Sequence, residues 1–216
     1  MENYKKMILE KKIMTETTLQ FFQWRQIEAN CWLLQQGCKL HELYILLKGR
    51  VKACSTTANG ITRLSAISYP ITVLGEVELL NGLPINNDVY TLEQCDFLVV
   101  SVDQFQDILL KDLIFVRFLA QQISLKLYNA NHNTSISINY PVENRLAAYF
   151  VSCHDHGLVK ENFVSVASLL GCSYRQLQRV LNQFVQWGYI EKKGRSQYKI
   201  INWKHLQILG QDIYRL

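Results

Sequence analysis

The sequence predicts an α+β fold in three successive parts: an antiparallel β-roll, a long amphipathic helix, and a C-terminal pair of short helices followed by a β-hairpin. Three observations point there. Between residues 29 and 101 short apolar runs alternate with Gly, Asn and Pro signals, as antiparallel strands require. After Asp112 apolar residues recur at steps of three and four, the helical period. Between Asn162 and Ile201 two helical patterns meet at Gly171 and give way to two strand-like runs. The expected domains are 1–111, the roll with flanking helices; 112–139, the long helix and its linker; and 140–216, the C-terminal module.

In chain order, strands are expected at 32–34, 43–47, 51–54, 64–67, 73–74, 89–92 and 97–102, with turn signals at Gly37, Gly49, Asn59-Gly60 and Asn81-Gly82. The Asn59-Gly60 pair is the strongest hairpin signal, because both residue types tolerate the positive φ of a tight turn. Asp103 opens a short helix, and Asp112 is suited to cap the next one. Its stripe of Val116, Leu119, Ala120, Ile123 and Leu127 covers one side only, so it needs a partner surface, either the roll or a second copy of the helix. Beyond Tyr128 the seam turns polar at Asn129, Asn131, His132 and Asn133, leaving Ala130, Thr134 and Ile138 in register, so a continued coiled coil is weakly encoded. Asn139-Tyr140-Pro141-Val142-Glu143 reads as a linker entering a new helix, with an early proline and acidic charge in the first turn. That helix carries Arg145, Leu146, Ala147, Tyr149, Phe150 and Val151 and stops near His154-Asp155-His156-Gly157.

Composition narrows the function classes. With 216 residues, 49% hydrophobic and 19% charged, the chain is an ordinary packed protein. No apolar run reaches membrane-spanning length and the first residues are Lys-rich (Lys5, Lys6, Lys11, Lys12), so a cytoplasmic protein is expected. Cysteines 31, 38, 54, 95, 153 and 172 lack CxxC spacing, which suits buried thiols better than a disulfide or zinc framework. The net charge of +5 is localised. Residues 1–140 hold 13 Lys+Arg against 13 Asp+Glu, and residues 141–216 hold 10 against 5. Positive charge gathered in one module favours a polyanionic partner; a solvated basic face explains the charge alone equally well.

The arrangement of those charges decides between the two. Asn162 can cap a first helix bearing Val166, Leu169 and Leu170, Gly171 permits the tight corner, and Ser173 caps a second helix with Leu177, Val180, Leu181 and Phe184 inward. The opposite face offers Tyr174, Arg175, Gln178, Arg179 and Asn182, and Ser173 and Gln176 share its first turn. Such an N-terminal helix end can enter a major groove, aiming Arg at guanine and Gln or Asn at adenine. After Trp187-Gly188 two strand-like runs surround the tip from Lys192 to Gln197, a basic wing whose Lys192, Lys193 and Arg195 would meet phosphates.

The order of these parts, with VLGEVELLNG in the roll and LLGCSYRQLQRVL at the corner, resembles the Crp/Fnr superfamily of bacterial transcription regulators from Trp32 to Ile201, and NRLAAYF with LGCSYRQL resembles its YeiL-type subgroup. The resemblance implies a cyclic-nucleotide-binding-like jelly-roll as sensor domain, a homodimer joined through the long helix, and a near-palindromic DNA site with half-sites about one helical turn apart. In cyclic-AMP-responsive members the reading positions are Arg, Glu and Arg; here they are Tyr174, Arg175 and Arg179, which implies a retained guanine contact at Arg179 and altered preference beside it. For the effector pocket, Gly75-Glu76 match the pair that holds the ribose, while Asn86-Asn87, followed by Asp88, replace the Arg-Ser pair that holds the phosphate. Cyclic AMP is therefore not expected, and the resemblance leaves an effector-independent regulator or one with another, unknown small-molecule effector. Glu76 can also simply cap loop amides.

Other chemistries find little support. No cysteine precedes Cys31 to build an iron-sulfur site, and Cys172 in the corner reads as a small buried residue. Cys153-His154-Asp155-His156 reads as a solvated helix end, since no further ligands stand at recognisable spacing. The roll has a single histidine, His41, and the chain lacks GxSxG, a phosphate-cradling glycine loop and a Cys-His motif, so no enzyme and no cofactor are expected. Expected partners are double-stranded DNA and a second copy, with RNA polymerase a further candidate and no membrane. The alternative from another class is a protein-interaction adaptor on a winged-helix scaffold.

Overall fold

A computed structural model describes residues 2–57, 60, 62–137 and 140–210, without the side chains of 2, 3, 63, 64, 129–137 and 168. It divides into two compact units, residues 1–53 with 68–129, and 54–67 with 130–215.

The elements of the first part of the chain are α1 (Glu2–Glu10), α2 (Glu16–Leu19), β1 (Gln23–Ile27), β2 (Trp32–Leu34), β3 (Glu42–Lys48), β4 (Val51–Thr56), β5 (Thr62–Ser68), β6 (Thr72–Leu74), α3 (Glu76–Asn81), β7 (Asp88–Thr91), β8 (Cys95–Ser101), α4 (Val102–Lys111) and α5 (Leu113–Ser137). Two four-stranded sheets form, in the orders β1-β8-β3-β6 and β2-β7-β4-β5. β3 and β8 lie side by side and antiparallel, Tyr44 opposite Val99 and Ile45 opposite Leu98. All five residues 43–47 are buried, so both faces of this central strand are covered. One apolar cluster joins Ile45 and Phe97 of the sheets to Ile8 of α1, Leu109 of α4 and Phe115 and Leu119 of α5.

Every expected strand is present, with ends moved by a few residues. Asn59 of the expected hairpin lies outside the described residues; Gly60 has φ +80 and the flanking β4 and β5 are neighbours in their sheet. Helices α1, α2 and α3 and strand β1 were not foreseen. β1 is an edge strand paired only with β8, so its Gln23, Arg25 and Gln26 face solvent in part and hide the strand's apolar alternation.

Asp112 caps α5 as expected, accepting from Ile114 N at 3.0 Å and Phe115 N at 3.1 Å, and also accepts from the backbone N–H and hydroxyl of Thr15, each at 2.8 Å. Burial would raise its pKa, but hydrogen bonds from Thr18, Thr15 and Phe115 outweigh that and hold the carboxyl below its usual range. A depressed carboxyl stabilises the fold above its unfolded pKa and loses that contribution as pH falls through the folded value. Asp112→Ala is therefore expected to cost about 1 to 2 kcal/mol at neutral pH and almost nothing in strong acid, as read by urea unfolding across that pH range.

The stripe on α5 divides into two. Phe115 and Leu119 are fully buried and, at 100° per residue, Gln122 and Lys126 continue their face. Val116, Ala120, Ile123 and Leu127 lie about 100° away, with Ala120 and Leu127 exposed. Leu119 thus belongs to the roll and not to the seam. The polar positions Asn129, Asn131, His132 and Asn133, with Ala130 and Thr134, fall where side chains are not described, and Ile138 and Asn139 lie outside the described residues.

The second unit contains α6 (Val142–Cys153), β9 (Leu158–Lys160), α7 (Phe163–Leu169), α8 (Tyr174–Gln186), β10 (Ile190–Gly194), β11 (Gln197–Ile200) and α9 (Trp203–Gly210). β9, too short to be read from sequence, completes a sheet in the order β10-β11-β9. Phe150, Phe163 and Tyr198 form an aromatic cluster at the centre, with Phe163 and Tyr198 edge to face at 5.1 Å. α6 and α9 touch backbone to backbone: a Cβ on Gly210 would stand 2.6 Å from Ala148 N, so only glycine fits there.

All six cysteines are thiols, and burial varies more than expected: Cys54 and Cys95 are buried, Cys31, Cys153 and Cys172 are half-buried, and Cys38 is exposed. The small loop 35–41 leaves Cys38 without covering structure. Burial pushes the Cys95 thiol up to about 11, which keeps it protonated and unreactive at neutral pH.

Candidate nucleic-acid interface and sensor residues

The corner between α7 and α8 is built from local signals that the sequence carries. Asn162 Oδ1 accepts from Val164 N at 3.1 Å. Gly171 adopts φ +64, the left-handed conformation that ends α7, and Cys172 N reaches back to Ala167 O at 3.0 Å. Arg145 of α6 donates from Nη1 to Leu170 O and so holds the corner from the helix before it. Ser173 and Gln176 form a capping box: Gln176 N donates to Ser173 Oγ at 3.2 Å and Ser173 N to Gln176 Oε1 at 3.0 Å.

α8 then buries Leu177, Val180, Leu181 and Phe184. At 100° per residue the direction opposite those four is occupied by Arg175, Arg179, Asn182 and Gln186, all four exposed. Tyr174 and Gln178 flank this row on one side. Of the sequence-derived residues, Ser173 and Gln176 have side chains engaged in the cap, whereas Tyr174, Arg175, Gln178 and Arg179 lie off the buried face. Gln186 was missed because it sits a turn beyond the expected reading end; its periodicity would have found it.

The wing differs in detail from expectation. β10 continues to Gly194, so Lys192 and Lys193 lie on a strand and only Arg195 and Ser196 form the turn. Lys192 stands opposite Tyr198, which is buried, so both side chains leave the same face of the sheet. Lys193 Nζ instead pairs with Glu191 Oε1 at 2.7 Å. The basic wing is thus carried mainly by Lys192 and Arg195.

In the roll, Gly75 (φ +93) and Glu76 form the turn from β6 into α3. Glu76 is buried, but its partner is not a loop amide. Lys126 Nζ of α5 donates to Glu76 Oε1 at 2.7 Å and to Val73 O at 2.6 Å. Asn86 and Asn87 lie on the loop before β7, where Asn86 N donates to Glu78 Oε1 of α3 at 3.1 Å; Asp88 Oδ1 accepts from Gln36 N at 2.8 Å. Lys126 was read past in the sequence, since a lysine interrupts the apolar stripe it belongs to.

A concavity of the roll, of about 430 Å3, is lined by Trp32, Leu34, Cys38, His41, Glu42 and Tyr44 among others. Its charged side chains and the Tyr44 hydroxyl already have partners. Arg25 grips both oxygens of Glu42 and holds its carboxyl below the usual range, Tyr44 donates to Glu42 at 2.6 Å, and His41 and Lys39 both meet Asp103. At the end of α6, His154 Nδ1 accepts from Gly157 N at 3.0 Å and its ring stands edge-on to Trp203, while His156 is exposed. Among the described residues no group of three metal-capable side chains comes together, and no helix is long and apolar enough to cross a membrane.

Comparison with known proteins places this geometry. Residues 24–112 match the cyclic nucleotide-binding domain. The fold is shared with a Crp/Fnr-family protein from Eubacterium rectale (TM-score 0.76, 10% identity, 94% of this chain and 97% of that one) and with a CRP/FNR-family transcriptional regulator from Thermus thermophilus (TM-score 0.65, 17% identity, 88% and 98%). The regulatory protein YeiL of Escherichia coli O157:H7 is 30% identical over 185 residues, 86% of this chain and 84% of that protein. The chain belongs to the Crp/Fnr family of transcription regulators. In this Crp/Fnr protein the domain match ends at residue 112, the residue that caps α5. The family's β-roll and helical C-terminal module are both present, and in this Crp/Fnr protein the ammonium of Lys126 occupies Glu76.

Proposed function

We propose that this protein binds double-stranded DNA as a homodimer on a near-palindromic site, with α8 of each protomer in a major groove and Lys192 and Arg195 on flanking phosphates. The observation that carries this is the row Arg175, Arg179, Asn182 and Gln186, set opposite a fully buried face and entered through a capped N-terminus. Dimerisation is supported by Val116, Ala120, Ile123 and Leu127, which repeat at heptad-like steps on a face that the roll does not use. The protein works in the cytoplasm as a regulator and not as an enzyme, and RNA polymerase is the partner on which a promoter-bound dimer acts. Cyclic AMP is not its effector: Asn86, Asn87 and Asp88 offer a phosphate no cation, and Glu76 is already paired.

The test is binding of the purified, reduced, effector-free protein to genomic fragments, its own upstream region included, against excess random DNA. Arg179→Ala is expected to cost about 1 to 3 kcal/mol on the selected fragment and little on random DNA. Equal losses on both would make Arg179 a phosphate contact and remove it from sequence reading.

A further inference from the structure

We propose that Lys126 acts as a tethered ligand of the roll, fixing the long helix for DNA binding in the absence of any small molecule; this rests on the DNA-binding reading above and adds what controls it. Lys126 continues the stripe through which Phe115 and Leu119 of α5 pack into the roll's core. A lysine on such a stripe is costly unless its ammonium is paired. Here it is paired twice, to Glu76 Oε1 at 2.7 Å and to Val73 O at 2.6 Å. These acceptors lie on either side of the Leu74-Gly75 turn, one in β6 and one opening α3, so a single ammonium ties that corner to α5. The Glu76 side chain is 5% exposed and that of Lys126 24%, and among the described residues no other cation pairs with Glu76.

Any solution ligand that needed the Glu76 carboxylate would have to displace a group delivered by the chain itself, at an effective concentration set by the helix. It would also leave the Lys126 ammonium without its carboxylate partner. α5 is the segment that leads from residues of the first unit into those of the second, so the contact that fixes its position on the roll needs no effector. Lys126 is thus a positioning residue for DNA binding, placed outside the DNA-reading surface.

In the intact chain, Lys126→Ala is expected to lower affinity for the selected fragment about ten-fold or more while affinity for random DNA holds. Ethylammonium should restore the specific affinity of this variant, and ethanol should not. The double variant Lys126→Met/Glu76→Gln, which leaves no unpaired buried charge, should bind better than Lys126→Ala. Wild-type affinity in Lys126→Ala, or a loss that ethylammonium does not relieve, overturns the proposal. If the variant does not fold, amide exchange in the ligand-free wild type decides instead: α3 and residues 113–128 should be protected, and rapid exchange there overturns the proposal. Wild-type protein that selects a fragment only after cell metabolites are added overturns the tethered ligand and leaves DNA binding standing. Wild-type protein that selects no fragment under either condition overturns the DNA-binding reading itself.

Discussion

Between about 50 and about 200 mM salt, the affinity of this protein for DNA is expected to fall about a thousand-fold. The excess positive charge of the chain lies wholly in residues 141–216. Within that module Lys192, Arg195 and Arg175 are exposed beside or on α8, which gives a dimer about six cations for phosphates. Each neutralised phosphate releases condensed counterions, so the logarithm of affinity should decline with the logarithm of salt at a slope of about −5. Lys192→Ala should flatten that slope more than Lys193→Ala, because Lys193 already pairs with Glu191. Fluorescence anisotropy on a labelled duplex across the salt range measures both. A flat slope would favour the adaptor reading, in which the winged helix meets protein and its charge is incidental.

Phe184→Ala is expected to cost about 3 to 5 kcal/mol and to abolish specific DNA binding. The ring is fully buried in the last turns of α8, with Trp187 at 6.1 Å and Tyr189 at 5.9 Å between ring centroids. Its removal empties the seat of the helix that carries Arg175 and Arg179. Natural domains hold only about 5 to 15 kcal/mol in total, so this single change consumes much of the second unit's stability. Calorimetry should therefore show an early transition that wild type lacks, with the roll unfolding separately at its own temperature. Phe184→Leu, which keeps most of the volume, should cost much less and retain binding. A single unshifted transition in Phe184→Ala would mean that α8 is held by contacts other than its buried face.

Much of the C-terminal module was legible in the sequence because its signals are local. Ser173 and Gln176 stand three residues apart and cap each other; Gly171 takes the left-handed conformation that its lack of a side chain allows; four apolar residues at helical spacing bury one side of α8. The wing was legible in outline only, since nothing local distinguishes a strand ending at Glu191 from one that continues through a bulge to Gly194. In the roll the apolar runs marked seven strands, while β1 escaped because Gln23, Arg25 and Gln26 leave it no apolar run.

By itself, then, the sequence determined the helices, strands and turns whose stabilising contacts lie within a few residues, together with the placement of the positive charge that points to DNA. Tertiary structure alone decided which distant groups meet: β1 with β8, Arg145 with Leu170, Asp112 with Thr15, and above all Lys126 with Glu76 across 50 residues. The physical reason is that periodicity and capping leave a trace in neighbouring positions. An ion pair between distant segments leaves none, because either residue alone reads as an ordinary surface charge until the fold brings the two together and buries the carboxylate.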